Sequence, residues 1–260
     1  MNFVLNLSRF CLLIVFLLVG NYFSAQSPKD SCLKMHLVCM QMSGQLPGGD
    51  LAKRFGVNLN VGLSYFRKTK NNFVWGVDPH YFFGRNIKED VLAPLKTAEG
   101  SITNTDGNFG NIKMNERGWL FTMDAGKIIT RIGARKMGPN PNSGIFLLGG
   151  LGYMQHRIFI LNQERNVPQV SAQYLKGYDR LSGGVCAKEF IGYFFLSNNR
   201  LLNFFGGFEF YQGLTKSMRT YSYDLMTSET ALRIDLLYGF RVGWVLPIYK
   251  RSESDNLFTY

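Results

Sequence analysis

The side chains of this sequence best suited to moving a proton are His80, in "WGVDPHYFF", and His156, in "GYMQHRIFI". Each stands near the end of an apolar run, and Glu164 and Asp179 follow in the polar segment beyond His156. A histidine oriented by a carboxylate can activate a nucleophile for acyl transfer, which at the rim of a membrane barrel would act on lipid A or phospholipid chains. No G-x-S-x-G accompanies these residues, and serines, tyrosines and acids occur in every polar segment. A lipid-modifying enzyme is therefore the second reading, and a protein without enzymatic activity is the first. His36, His80 and His156 have no zinc-site spacing, and no metal or cofactor is expected. Asp106, Asn108 and Asn111 in "NTDGNFGN" read as glycine-rich turns rather than as a calcium loop.

A second set of charges is buried in apolar alternation. In "ALRIDLLYGFRVGWVLPIY", residues 231–249, every second position from Leu232 to Ile248 is apolar, and Arg233, Asp235 and Arg241 fall between. Asp78, His80, Glu189 and Glu209 have comparable surroundings. If these seven share the inside of one sheet, their mixed signs suit ion pairing within a closed interior. That makes them a polar plug before they are catalysts.

The elements that must carry such residues are strands. The chain has 260 residues, 28 glycines, 22 Phe and 13 Tyr with only 18% charge, a balance that favours β-structure. Alternation marks eight stretches, at 33–43, 57–66, 73–83, 119–129, 145–158, 181–196, 201–212 and 231–249. Tilted strands of about ten residues are long enough to cross a bilayer. The fold class expected is all-β: an antiparallel, up-and-down transmembrane β-barrel of eight strands.

Alternation alone does not say which face is outside. Three features favour apolar outside and charge inside: strand length, aromatics near strand ends such as Trp119 and Tyr249, and the N-terminal run "FCLLIVFLLVG" behind Arg9. That run reads as a signal peptide covering residues 1–26, with a barrel and a short polar tail over 27–260. Cys32 lacks a lipoprotein context, and Cys32, Cys39 and Cys186 read as small apolar residues.

Connections after the second, fourth and sixth strands are shorter than most of the others, which gives the barrel two unlike ends. An even strand number places both termini at the short-turn end, the periplasmic one in an outer membrane. Those turns carry Arg67, Lys68, Lys70, Arg131, Arg135, Lys136 and Arg200 and no acid, within a formal net charge of +11. Such a rim suits anionic lipid headgroups or an acidic envelope protein. Nucleic acid is no partner in that compartment. At the other end, "PGGDLAKRFG" reads as a turn leading into a short helix.

The stretches "LPGGDLAKRFG", "GPNPNSGIFLLGGLGYMQHRI", "KGYDRLSGG" and "FIGYFFLSNNRLLNFFGGFEFYQG" resemble a family of small outer-membrane barrels of the Bacteroidota. The resemblance spans essentially all of the chain after the signal and implies fold and compartment without a reaction. The expectation is an envelope protein with a structural or interaction role, such as a subunit of a secretion or surface-assembly complex. A narrow channel or receptor ranks behind the lipid-modifying enzyme.

Overall fold

The computed structural model describes residues 32–163, 166–171, 173–197 and 202–248; the expected signal peptide, the polar tail from 249, Glu164 and Arg200 lie outside them. The strands are β1 (Met35–Gly49), β2 (Asn58–Lys68), β3 (Phe73–Gly84), β4 (Ile112–Ile129), β5 (Gly144–Asn162), β6 (Ser182–Phe195), β7 (Phe204–Ser217) and β8 (Arg233–Ile248). Each pairs antiparallel with its sequence neighbours, and β1 closes on β8 with Met40 opposite Trp244 and Ser43 opposite Arg241. The molecule is an eight-stranded up-and-down barrel of the transmembrane type.

Side-chain direction follows the pleat, two residues per repeat. Outward on β8 stand Ile234, Tyr238, Phe240, Val242, Trp244 and Leu246, all more than a third exposed, whereas Arg233, Asp235 and Arg241 are buried inside. Exposing large apolar side chains while burying charge is unfavourable in water and favourable in hydrocarbon. The outer wall is accordingly mostly apolar, with aromatic pairs such as Tyr81 and Trp119, 4.7 Å apart between ring centres.

The same alternation corrects two expectations. On β6 the inward residues are Cys186, Lys188, Phe190 and Phe194, so Glu189 points outward and is not in the lumen. Two charged residues stand side by side there, and packing decides between them: Phe190 and Phe194 meet Phe146 edge to face inside the barrel. Lys68 belongs to β2 rather than to the turn that follows, and its phase turns it inward. Its ammonium donates to Asn142 Oδ1 at 2.8 Å and to the Leu33 carbonyl at 3.0 Å, so it is fully buried rather than on the rim.

The interior is layered. At the short-turn end Met35, Leu37, Cys39, Phe66, Val74, Phe146, Phe190, Phe194, Phe205 and Val245 form an apolar plug. Charged residues occupy the middle. Toward the other end Phe82, Leu120, Met154, Ile158, Tyr211 and Leu237 form a second apolar layer. It is roofed by Leu51 and Phe55, from the helix α1 (Leu51–Arg54) and its C-cap. That helix sits where the sequence placed one. Glycine makes the charged layer possible: a Cβ on Gly150 would come within 2.0 Å of Asp124 Oδ1, and one on Gly62 within 2.4 Å of His80 Nδ1.

Candidate functional site

The middle layer gathers side chains from seven strands. Arg241 on β8 donates from Nε to Glu209 Oε2 at 2.6 Å, from Nη1 to Asp78 Oδ2 at 3.0 Å and from Nη2 to the Tyr211 hydroxyl at 2.6 Å. Lys188 on β6 bridges Asp78 and Asp124. Ser43 and Gln45 on β1 each donate to Glu209 Oε1 at 2.6 Å. His80 lies 2.8 Å from Asp78 Oδ1 and 2.9 Å from Asn60 Oδ1 on β2. Three carboxylates thus meet a lysine, an arginine and a histidine, all nearly inaccessible. Buried charges persist only when so paired.

A second cluster lies nearer the long loops. His156 Nε2 is 2.8 Å from Asp235 Oδ2, Thr215 donates to the same oxygen, and Arg233 Nη2 reaches Asp235 Oδ1 at 3.3 Å. The Phe55 ring stands edge-on to the imidazole, 5.6 Å between centres. The expected placement of His80 and His156 at an open rim is therefore wrong, since both are inside and neither meets Asp179. Asp179 instead pairs with Arg219, whose Nε donates to it at 2.9 Å.

Six of the seven expected lumen residues, Asp78, His80, Glu209, Arg233, Asp235 and Arg241, do point inward, with Glu189 the exception. Lys188 and Asp124 were missed as members of the network. The signal for Lys188 was present in the phase of "CAKEFIGYFF", where Cys186, Phe190 and Phe194 share its parity. The facing of the fourth strand was not legible around Asp124.

The loops beyond the barrel mouth hold a third cluster. Arg54 on α1 pairs with Glu89 at 2.9 Å and Glu229 at 2.8 Å. Arg180 pairs with Glu89 at 3.1 Å, Asp224 at 2.6 Å and Glu229 at 3.2 Å. Burial, and then the neighbouring Arg233, press the Arg54 guanidinium below its ordinary value, while Glu229 and Glu89 hold it up. These contacts tie the segments 50–57, 85–111 and 218–232 and the end of the loop after β5 into one lid. Nothing in the sequence singled these residues out, because they meet only through the closed barrel.

Asp50 latches the lid to the wall. Its carboxylate accepts from Lys53 Nζ at 2.8 Å and from the Ile234 amide at 3.0 Å, and these two bonds hold it below the ordinary carboxylate value. A depressed acid contributes stability above its unfolded pKa and loses it as pH falls through the folded one. The Ile234 amide is therefore expected to stay protected from hydrogen exchange at pH 5 and to lose protection below the ordinary aspartate range; protection unchanged at pH 2 would contradict the latch.

At the short-turn end, Arg131 pairs in register with Lys136, and Ile132 with Arg135, in a small exposed hairpin turned at Gly133, whose φ of +59° suits glycine. Arg67 faces outward over the Trp75 ring, 6.0 Å from its centre, and Lys70 is exposed in the turn after β2. With Lys68 inside, the described rim consists of Arg67, Lys70, Arg131, Arg135 and Lys136.

Glu189 lies on the lipid-facing side of β6. It is the eighth of the 14 residues of β6, on the wall between Gly149 and Phe210. A carboxylate on a lipid-facing surface is destabilising by about 1–2 kcal/mol, less than a lysine or arginine. Glu189→Leu is thus expected to raise the unfolding midpoint in phospholipid vesicles, read by the heat-dependent shift in gel migration. A lower midpoint would mean that the residue faces the interior.

No protein-family model and no curated protein sequence matches the chain. Among solved structures it is similar to Ail, the attachment invasion locus protein of Yersinia pestis, at 10% identity over 82% of this chain and 99% of that one, TM-score 0.41. It is similar also to Neisserial surface protein A, at 8% identity over 81% and 96%, TM-score 0.42. The N-terminal β-barrel domain of Pseudomonas aeruginosa OprF matches at 11% identity over 82% and 98%, TM-score 0.36.

Proposed function

We propose that this chain is an outer-membrane barrel with a structural or interaction role in the cell envelope, its termini on the periplasmic side and its loop lid outside. The observation that carries this reading is the combination of an apolar outer wall with an interior that holds, among the described residues, an ion-paired layer between two apolar ones. Such a barrel suits a lipid surrounding, and eight strands leave an interior just wide enough for side chains. The work then falls to its surfaces: the lid on one side and the basic rim on the other.

The rim formed by Arg67, Lys70, Arg131, Arg135 and Lys136 suits an acidic periplasmic domain or anionic headgroups. A mild-detergent pull-down is expected to recover a stoichiometric envelope protein, in keeping with a subunit of a secretion or surface-assembly complex. Reversing the charges of Arg131, Arg135 and Lys136 should lower crosslinked recovery of that protein several-fold. Undiminished recovery would leave the rim with lipid contact only. Against the lipid-modifying alternative stands the placement of both candidate histidines inside the wall, and an altered lipid A profile on deleting the gene would revive it.

A further inference from the structure

On the outer wall, near the long-loop end, Arg117 of β4 and Arg157 of β5 stand directly opposite one another. Both side chains face outward by the parity of their strands, and neither forms an ion pair among the described residues. Like charges placed directly opposite across a strand pair repel, and close to hydrocarbon the repulsion is poorly screened. The arrangement is nonetheless well built. The Arg117 guanidinium lies 3.4 Å from the centre of the Phe159 ring and that of Arg157 lies 5.6 Å from the same ring, so both contact one aromatic side chain. Lys113 adds a third exposed cation on this face.

The level of the pair on the wall indicates what neutralises it. Arg117 stands two residues beyond Trp119 on the same face, and Trp119 packs with Tyr81 across the neighbouring strand. Indole and phenol rings mark the boundary between hydrocarbon and headgroups, so the arginines reach the headgroup layer itself. Guanidinium groups bind phosphate oxygens in paired, charge-assisted hydrogen bonds.

We propose that Arg117 and Arg157 form a binding site for a phosphomonoester headgroup of a membrane lipid in the leaflet nearest the lid. The inference rests on the membrane reading above, and in an outer membrane that leaflet's phosphorylated glycolipid is lipid A. The bound phosphate turns a repulsive pair into a bridged one and fixes the barrel's depth and rotation against its lipid shell.

The test is thermal unfolding of the full chain in maltoside micelles, which contain no phosphate, before and after adding diphosphorylated lipid A, its dephosphorylated form, or inorganic phosphate. The wild type should gain several degrees with the phosphorylated lipid and nothing measurable with the other two. Arg117→Gln/Arg157→Gln should lose most of that gain. In micelles alone, Arg157→Gln should melt at or above the wild type because the repulsion is relieved, so the sign of its effect reverses with the lipid. Equal gains in wild type and double variant, or from dephosphorylated lipid, would overturn the site, and an equal gain from free phosphate would overturn its assignment to a lipid. Insertion into phospholipid vesicles is scored on the same samples: failure to insert overturns the membrane reading too, whereas insertion without a phosphate effect overturns the site alone.

Discussion

Arg241→Leu is expected to destabilise the barrel by about 3–5 kcal/mol, the usual consequence of removing one partner from a buried ion pair. The guanidinium joins Glu209, Asp78 and Tyr211 at once, and its loss leaves Glu209 with only Ser43 and Gln45 as donors. Asp78 would keep Lys188 and His80, so the larger part of the cost falls on Glu209. Adding Glu209→Gln to Arg241→Leu should therefore recover part of the loss, a non-additivity diagnostic of direct coupling. Denaturant unfolding in vesicles, followed by the loss of heat-modifiable migration, measures both variants. Equal stability of wild type and Arg241→Leu would mean that the charged layer is hydrated and carries little of the fold.

Arg180→Ala should act on the lid and spare the wall. Arg180 holds Glu89, Asp224 and Glu229 from two different loops and sits in a left-handed backbone conformation, φ +50°, that the surrounding contacts must maintain. Losing it leaves Arg54 as the remaining cation paired with Glu89, and about 3 kcal/mol of lid stability should go with it. At 1.4 kcal/mol per tenfold, local opening rises by about a hundredfold. Protease cleavage within 218–232 on the folded protein should accelerate by that order while the unfolding midpoint of the barrel moves little. A joint fall of both would mean that lid and wall unfold as one unit.

These two sites differ in how far the sequence disclosed them. Strand parity was readable wherever one phase was apolar and the other polar, as on β2 and β8, and it put Asp78, His80, Glu209 and Arg241 inside correctly. It failed at Glu189, where Lys188 offers a charge in either phase and only the packing of Phe190 and Phe194 against Phe146 decides. It failed at Lys68 because the strand was ended two residues early, in a segment whose further basic residues read as a turn. Parity also put Val74 and Phe82 inward and Phe205 in the phase of Glu209, but it did not show that they gather into apolar layers, because inward phenylalanines such as Phe66 match the lipid face in type. The lid was illegible, since Arg54, Glu89, Arg180 and Glu229 lie far apart in the chain and become neighbours only when four loops converge over a closed ring.

The rim and the Arg117–Arg157 pair bracket the wall at its two ends, basic on both, with the apolar band between. This distribution places positive charge at both headgroup layers and suits a barrel held at a fixed depth in an anionic membrane. The middle layer of the interior, by contrast, pairs its charges within itself. Surface and lumen thus obey opposite rules, the reverse of a water-soluble barrel.

Inversion of the two faces is the central claim, and the native tryptophans test it without any substitution. Trp75, Trp119 and Trp244 all project from the outer wall and are 41–61% exposed. Reconstituted into vesicles whose acyl chains carry bromine, the protein should lose most of its tryptophan fluorescence, while aqueous iodide quenches little. Strong quenching by iodide with none from brominated chains would place the apolar wall in water and contradict the account.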